Sequence, residues 1–129
     1  MTSYLVDTNA FAMFILGDRR FSEPILERMK AATNLAVSVI SLYEIGQKVR
    51  LGKWPQMSEH VDDLERTTGL AGFDLLPLSG KASLKAASLN WDHRDPFDRM
   101  IAAVALIEGM ALISSDRAFD NLELARYWD

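Results

Sequence analysis

Tyr4-Leu5-Val6-Asp7-Thr8-Asn9-Ala10 reads as a short apolar strand stopped by a carboxylate and passing into a helical run, Ala10 to Leu16, that ends at Gly17. The same order recurs along the chain. Leu35 to Val39, Asp74 to Leu76, Ala111 to Ile113 and a weaker Arg126-Tyr127-Trp128 have strand character. Helical stretches separate them: Glu23 to Ala32 after Ser22, Leu42 to Leu51 before Gly52, Ser58 to Thr68 before Gly69, Lys81 to Leu89, and Pro96 to Glu108 before Gly109. A glycine just past a helix supplies the left-handed C-terminal cap, so these stops have a mechanism. Strands alternating with helices predict an α/β fold: one domain over residues 1–129, with a parallel central sheet of about five strands flanked by helices on both faces.

Asp7 is one of four acids placed where a strand ends or a helix begins, with Glu44, Asp98 and Asp116. In an open parallel sheet those junctions converge on one crevice, the edge at which such folds bind ligands. Carboxylates gathered there repel one another unless a cation sits among them. Oxygen donors suit Mg²⁺ or Mn²⁺ better than zinc. In the last long helix, Phe97, Met100, Ile101, Val104 and Ala105 form an apolar stripe. Asp98 falls about 100° from Phe97, at the stripe's edge in the first turn. Glu44 stands likewise beside the stripe of Leu42, Ile45 and Val49.

Each acid also has an ordinary reading as a helix cap. Ser41-Leu42-Tyr43-Glu44 fits a capping box, Asp95 caps ahead of Pro96, Asp98 favours the positive helix end, and Asp116 caps a short turn over Arg117 to Asp120. Taken one at a time, capping is the better account. The placement of all four at strand ends is what raises the pocket above it.

Composition sets outer limits. The 129 residues are 49% hydrophobic and 25% charged, with a net charge of -4 and a pI near 5.1. That suits one core in one domain and argues against a protein that coats nucleic acid by bulk charge, though not against nucleic acid reached through a metal. With no cysteine, neither a disulfide framework nor a thiolate metal site is possible. Met1 to Asp7 lacks the basic start and apolar run of a signal peptide, and Ala10 to Leu16 is too short to span a bilayer. The expectation is a soluble cytoplasmic protein with no membrane partner.

Four segments together, in order, resemble the PIN-domain family, and within it the VapC-type toxins of bacterial toxin-antitoxin pairs. They are Tyr4 to Ala10, Ser38-Val39-Ile40-Ser41-Leu42-Tyr43-Glu44-Ile45, His93-Arg94-Asp95-Pro96-Phe97-Asp98-Arg99-Met100-Ile101-Ala102-Ala103, and Leu112-Ile113-Ser114-Ser115-Asp116-Arg117. The resemblance spans nearly the whole chain, and the His-Arg-Asp-Pro-Phe-Asp-Arg run makes it specific. It implies an endoribonuclease dependent on Mg²⁺ or Mn²⁺, with Asp7, Glu44, Asp98 and Asp116 as metal-binding acids. The last of these acids, Asp116 here, is the one that varies in the family. Asp95 is open between metal ligand and cap. A cognate antitoxin covering the site and a homodimer are implied too.

Around these acids, Thr8, Asn9 and Ser115 are candidates to steady Asp7 or metal-bound water, or are plain turn formers. His93, Arg94, Arg99 and Arg117 are candidate RNA contacts, with solvation or ion pairing as the ordinary alternative. Trp54 and Trp91 can stack on bases or pack in a core, and Lys48, Arg50 and Lys53 read more readily as a solvated helix face than as a groove. Phe11, Phe14, Ile15 and Leu16 offer interface material, with core burial the default. Two other classes fit the acids: a phosphoacceptor receiver module and a catalytically silent binding domain. The receiver reading wants adjacent acids after the first strand and a late lysine, whereas Asp7 stands alone and no lysine follows Lys85.

Overall fold

The computed structural model describes residues 2–128; Met1 and Asp129, the ends of the expected domain, lie outside the described residues. Five strands, β1 (Ser3–Val6), β2 (Asn34–Ser38), β3 (Asp74–Leu76), β4 (Ala111–Ile113) and β5 (Arg126–Tyr127), pair in parallel in the order β3-β2-β1-β4-β5. The register aligns Leu5 with Ala36 and Leu112, and Val6 with Val37 and Ile113. Successive residues of a strand face opposite sides of a sheet, so these rows feed two cores. Tyr4, Val6, Val37 and Ile113 pack with helices α1 (Thr8–Leu16) and α2 (Glu23–Lys30), whereas Leu5, Ala36 and Leu112 pack with α5 (Gly80–Ser88) and α6 (Pro96–Glu108). Both faces are covered, which explains why the strands are nearly all apolar.

From β1 the chain builds outward to β2 and β3, then returns through α5 and α6 to place β4 on the other side of β1. The strand order therefore reverses between β1 and β4. A crevice opens beyond the strand ends at such a reversal. Asp7 leaves β1 and Ser114 leaves β4 at that point, and the Asp7 N–H donates to Ile113 O at 3.0 Å.

Several expected boundaries move. Helix α3 (Val39–Arg50) starts three residues before Leu42, so Ser38 caps it, accepting the Ile40 N–H at 3.1 Å. The β-branched pair Val39-Ile40 has strand propensity, but the Ser38 cap overrides it. The capping box assigned to Ser41 and Glu44 is thereby corrected: Ser41 lies inside the helix, within 2.9 Å of the Thr8 hydroxyl. The single helix expected over Ser58 to Thr68 is instead a 3₁₀ turn over Pro55–His60 and α4 (Leu64–Leu70). Gly69 sits within α4, and the positive φ of +90° falls on Gly72. Helix α1 begins at Thr8 rather than Ala10.

Candidate metal centre

Four elements deliver the four acids. Asp7 caps α1, its Oδ1 accepting the Ala10 N–H at 2.8 Å, and it is only 4% exposed. Its other oxygen accepts a short hydrogen bond from the Ser114 hydroxyl. Ser114 Oγ in turn accepts the Asp116 N–H at 3.0 Å, which links the ends of β1 and β4 to the next acid. Asp116 caps a 3₁₀ turn over Arg117–Asn121 through the Ala118 N–H at 2.9 Å, as expected of it. Asp98 stands in the first turn of α6 behind Asp95, whose Oδ1 accepts the Phe97 and Asp98 N–H groups at 2.9 and 3.3 Å.

Glu44 differs from the others. It is the sixth residue of α3, beyond the turn whose N–H groups are free, so a capping role is closed to it. It is 4% exposed; Oε2 meets Lys48 Nζ at 2.9 Å, and Oε1 is buried without a hydrogen-bond partner. A buried orphan carboxylate oxygen costs free energy unless something occupies its lone pairs.

The acids feel one another. Burial pushes the Asp7 carboxyl up to about 7, with the charges of Asp98 and Asp116 adding to the rise and the bonds from Ser114 and Ala10 opposing it. Asp98 is also raised, first by burial and then by Asp95 and Glu44, against the pull of His93. His93 Nε2 lies 2.7 Å from Asp98 Oδ2, and the imidazole stacks on Trp91 with ring centroids 4.6 Å apart. Ligand-capable atoms of His93, Asp98 and Asp116 fall within 4.8 Å of one another, the group of three or more such residues found among the described residues. Of the four expected acids, that group brings together only Asp98 and Asp116, with an imidazole; Asp7 and Glu44 lie outside it, although the charges of Asp98 and Asp116 act on Asp7 and that of Glu44 acts on Asp98. Carboxylate donors with an unpartnered, buried Glu44 oxygen beside them suit a hard divalent cation.

The flanking residues divide. Thr8 is buried against Ser41, while Asn9 and Ser115 are exposed along a cleft of about 390 Å³ beside the acids. Arg94 and Arg117 are exposed, but Arg99, expected as an RNA contact, is committed elsewhere. Its guanidinium donates to the carbonyls of Ala86, Leu89, Trp91 and His93 at 2.7 to 3.0 Å, tying the loop between α5 and α6 to the start of α6. Sequence reasoning missed Ser114, the hinge between two acids, and Lys48 as the partner of Glu44. The four-residue spacing of Glu44 and Lys48 on one helix was the available signal for the second. Trp91 is core, packed with Phe119, and Phe11 is fully buried; Phe14 and Ile15 pack partly buried, leaving Leu16 exposed.

The family profile described as PIN domain matches residues 4–124. The chain belongs to the PIN-domain family. Solved structures similar to this PIN domain include the VapBC2 complex of Rickettsia felis bound to a promoter DNA fragment, at TM-score 0.72 and 19% identity, covering 99% of this chain and 100% of that one. VapBC-1 of nontypeable Haemophilus influenzae is similar at TM-score 0.69 and 20% identity, over 98% and 97% of the two chains. FitAcB of Neisseria gonorrhoeae follows at TM-score 0.70 and 17% identity, over 96% of each. At these identities the likeness is one of fold. No curated protein sequence matches the chain. Among the described residues no helix is long and apolar enough to cross a membrane.

Proposed function

We propose that this PIN domain is the toxin of a toxin-antitoxin pair, an endoribonuclease that hydrolyses RNA phosphodiesters with Mg²⁺ or Mn²⁺ held by Asp7, Glu44, Asp98 and Asp116. The observation that carries the reading is Glu44, buried within a helix where no cap is needed and with one carboxylate oxygen unpartnered. Asp7 and Asp116 serve as caps and Asp98 stands in the first turn of α6 behind the cap Asp95, which is the case for a silent binding domain; Glu44 is what that case leaves out.

A bound divalent ion would lower the pKa of its water and neutralise charge gathering on the phosphate. The protein's part is to hold that chemistry in place. Ser114 fixes Asp7 and Asp116 relative to each other through its hydroxyl, and His93, braced on Trp91, holds one oxygen of Asp98. Asn9 and Ser115, exposed next to Thr8 and Asp116 in the chain, are the polar side chains available to steady a water near the acids. Of the three arginines expected as RNA contacts, Arg94 and Arg117 stay exposed and free to meet RNA phosphates. No histidine or cysteine nucleophile is called for.

The partner reading is supported by the similar VapBC2, VapBC-1 and FitAcB structures, which favour a cognate antitoxin; that it covers the site rests on the family resemblance. The homodimer rests on the family resemblance, and exposed Tyr43, Leu84 and Val39 offer apolar surface for it. A cytoplasmic location fits a ribonuclease whose substrate is cellular RNA.

The test is direct. Purified protein should cut single-stranded RNA with Mg²⁺ or Mn²⁺ and stop on adding EDTA, and Asp98→Asn should stay folded and lose at least about 100-fold in rate, as when one electrostatic stabiliser is removed. Cleavage unaffected by chelation removes the metal mechanism; normal cleavage by Asp98→Asn removes the site. Expressed without a partner, the unmutated chain should arrest bacterial growth and Asp7→Ala should not. A harmless, well-expressed unmutated chain would sink the toxin role.

A further inference from the structure

Lys48 lies against the pocket in a way that ordinary helix-surface pairing does not explain. A glutamate and a lysine four residues apart on an exposed helix contribute only tenths of a kcal/mol. Here the glutamate is 5% exposed and the lysine 35%, so Lys48 Nζ, at 2.9 Å, supplies the charge compensation that water cannot give Glu44. The ammonium also stands 5.3 Å from the centroid of the Trp54 ring. Beside it opens a cleft of about 430 Å³ walled by Glu44, Lys48, Lys53, Arg94, Asp95 and Phe97. Because Glu44 belongs to both, the cleft runs into the acid pocket. Lys53 and Arg94 are exposed, and among the described residues neither has a carboxylate partner.

A divalent cation at Glu44 would repeat the job Lys48 already does, and would repel it. The lysine stem is flexible, so the ammonium can leave one anion for another within a few ångströms. We propose that Lys48 exchanges partners, neutralising Glu44 in the metal-free protein and, once a divalent ion is held there, joining Lys53 and Arg94 in the cleft to grip a phosphate of the RNA strand. The substrate half rests on the nuclease reading above; the exchange at Glu44 does not. An acidic protein segment is the competing occupant of the three cations, but RNA is favoured because the cleft that holds them is also walled by Glu44, one of the acids of the proposed nuclease site. Metal and RNA affinities are then coupled, each ligand strengthening the other through Lys48.

The experiment compares the unmutated chain with Lys48→Met, and with Lys48→Gln as a milder replacement carrying the same expectations. Titrated with Mn²⁺ alone, the Lys48 variants should bind the ion at least about threefold more tightly, having lost its competitor, while melting lower than the unmutated chain without metal. A merely structural lysine would lower both melts equally and leave the Mn²⁺ affinity where it was. With RNA at saturating Mn²⁺, the same variants should raise KM severalfold, and the slope of log kcat/KM against log salt should flatten by about 0.7 for each lost phosphate contact. Lys53→Gln and Arg94→Gln should share the KM and salt effects without the change in Mn²⁺ affinity. Equal or weaker Mn²⁺ binding by folded Lys48 variants overturns the exchange. Unchanged KM and salt slope in all of them overturns the phosphate track and leaves the cleft to an acidic partner. An unmutated chain that binds no Mn²⁺ overturns this inference and the metal reading together. The expected Mn²⁺ shift in a chain that cuts no RNA upholds the exchange and defeats the nuclease reading alone.

Discussion

Asp7 carries two opposed obligations. As a cap and a partner of Ser114 it is held by two hydrogen bonds, yet burial and the charges of Asp98 and Asp116 push its carboxyl up to about 7 from 3.8. A carboxyl that holds its proton more tightly when folded makes stability fall as pH rises. The contribution is intact below about pH 4, is lost progressively up to about pH 7 and is flat beyond; three pKa units correspond to about 4 kcal/mol. Asp98, raised for the same first reason, acts in the same direction, whereas the lowered carboxyls of Asp18 and Asp120 act in the opposite one. The informative quantity is therefore a difference: metal-free Asp7→Asn should lose markedly less stability between pH 4.5 and pH 8 than the unmutated chain in urea melts. Parallel curves for the two proteins would mean that Asp7 ionises in the fold as freely as in water.

The elements around the site show what the sequence made legible and what it hid. All five strands and their parallel order of recurrence could be read from short apolar runs, because a sheet covered on both faces leaves its strands little polar content. Asp7 and Asp116 do follow the ends of β1 and β4, but Asp98 stands in the first turn of α6 and Glu44 sits well inside α3, so strand-end position accounts for only two of the four acids. What could not be read was local competition: Ser38 rather than Ser41 starts α3, since one hydroxyl cap outweighs the propensity of two residues, and one expected helix is a 3₁₀ turn and a short helix, neither with a side-chain cap to mark its start. Nor could the fate of Arg99, because hydrogen bonds to loop carbonyls leave no mark on periodicity. That arginine holds the segment carrying His93 against α6, so its loss should be felt at the site as well as in the fold. Arg99→Met should destabilise by about 2 to 3 kcal/mol, the range for losing charged hydrogen bonds to partly buried carbonyls. Arg99→Lys should recover little of it, since an ammonium cannot reproduce the guanidinium fork. Urea unfolding of the three proteins decides the matter, and near-complete recovery by lysine would show that charge rather than geometry holds the loop.

Across the whole molecule, the balance is between a fold that gathers carboxylates at the reversal of its strand order and the repulsion this creates. The net charge is only -4, but Asp7, Glu44, Asp98 and Asp116 arrive from four different elements, so their repulsion acts between parts of the fold rather than within one helix. A divalent cation bound only by the folded chain should relieve it. At a concentration of 100 times its Kd the gain is about 2.7 kcal/mol. For a chain of this length that corresponds to a rise in Tm of about 10 °C. Asp98→Asn should melt as high as the unmutated protein or higher without metal, having one charge fewer in the pocket, and should gain much less from Mn²⁺. If the acids served the helices alone, the outcome would invert: neutralising a charge in the first turn of α6 would destabilise by about 0.3 to 1 kcal/mol, and neither protein would respond to Mn²⁺. Melts of both proteins with and without millimolar Mn²⁺ therefore separate a metal centre from carboxylates that serve only the helices, whatever RNA the domain does or does not cut.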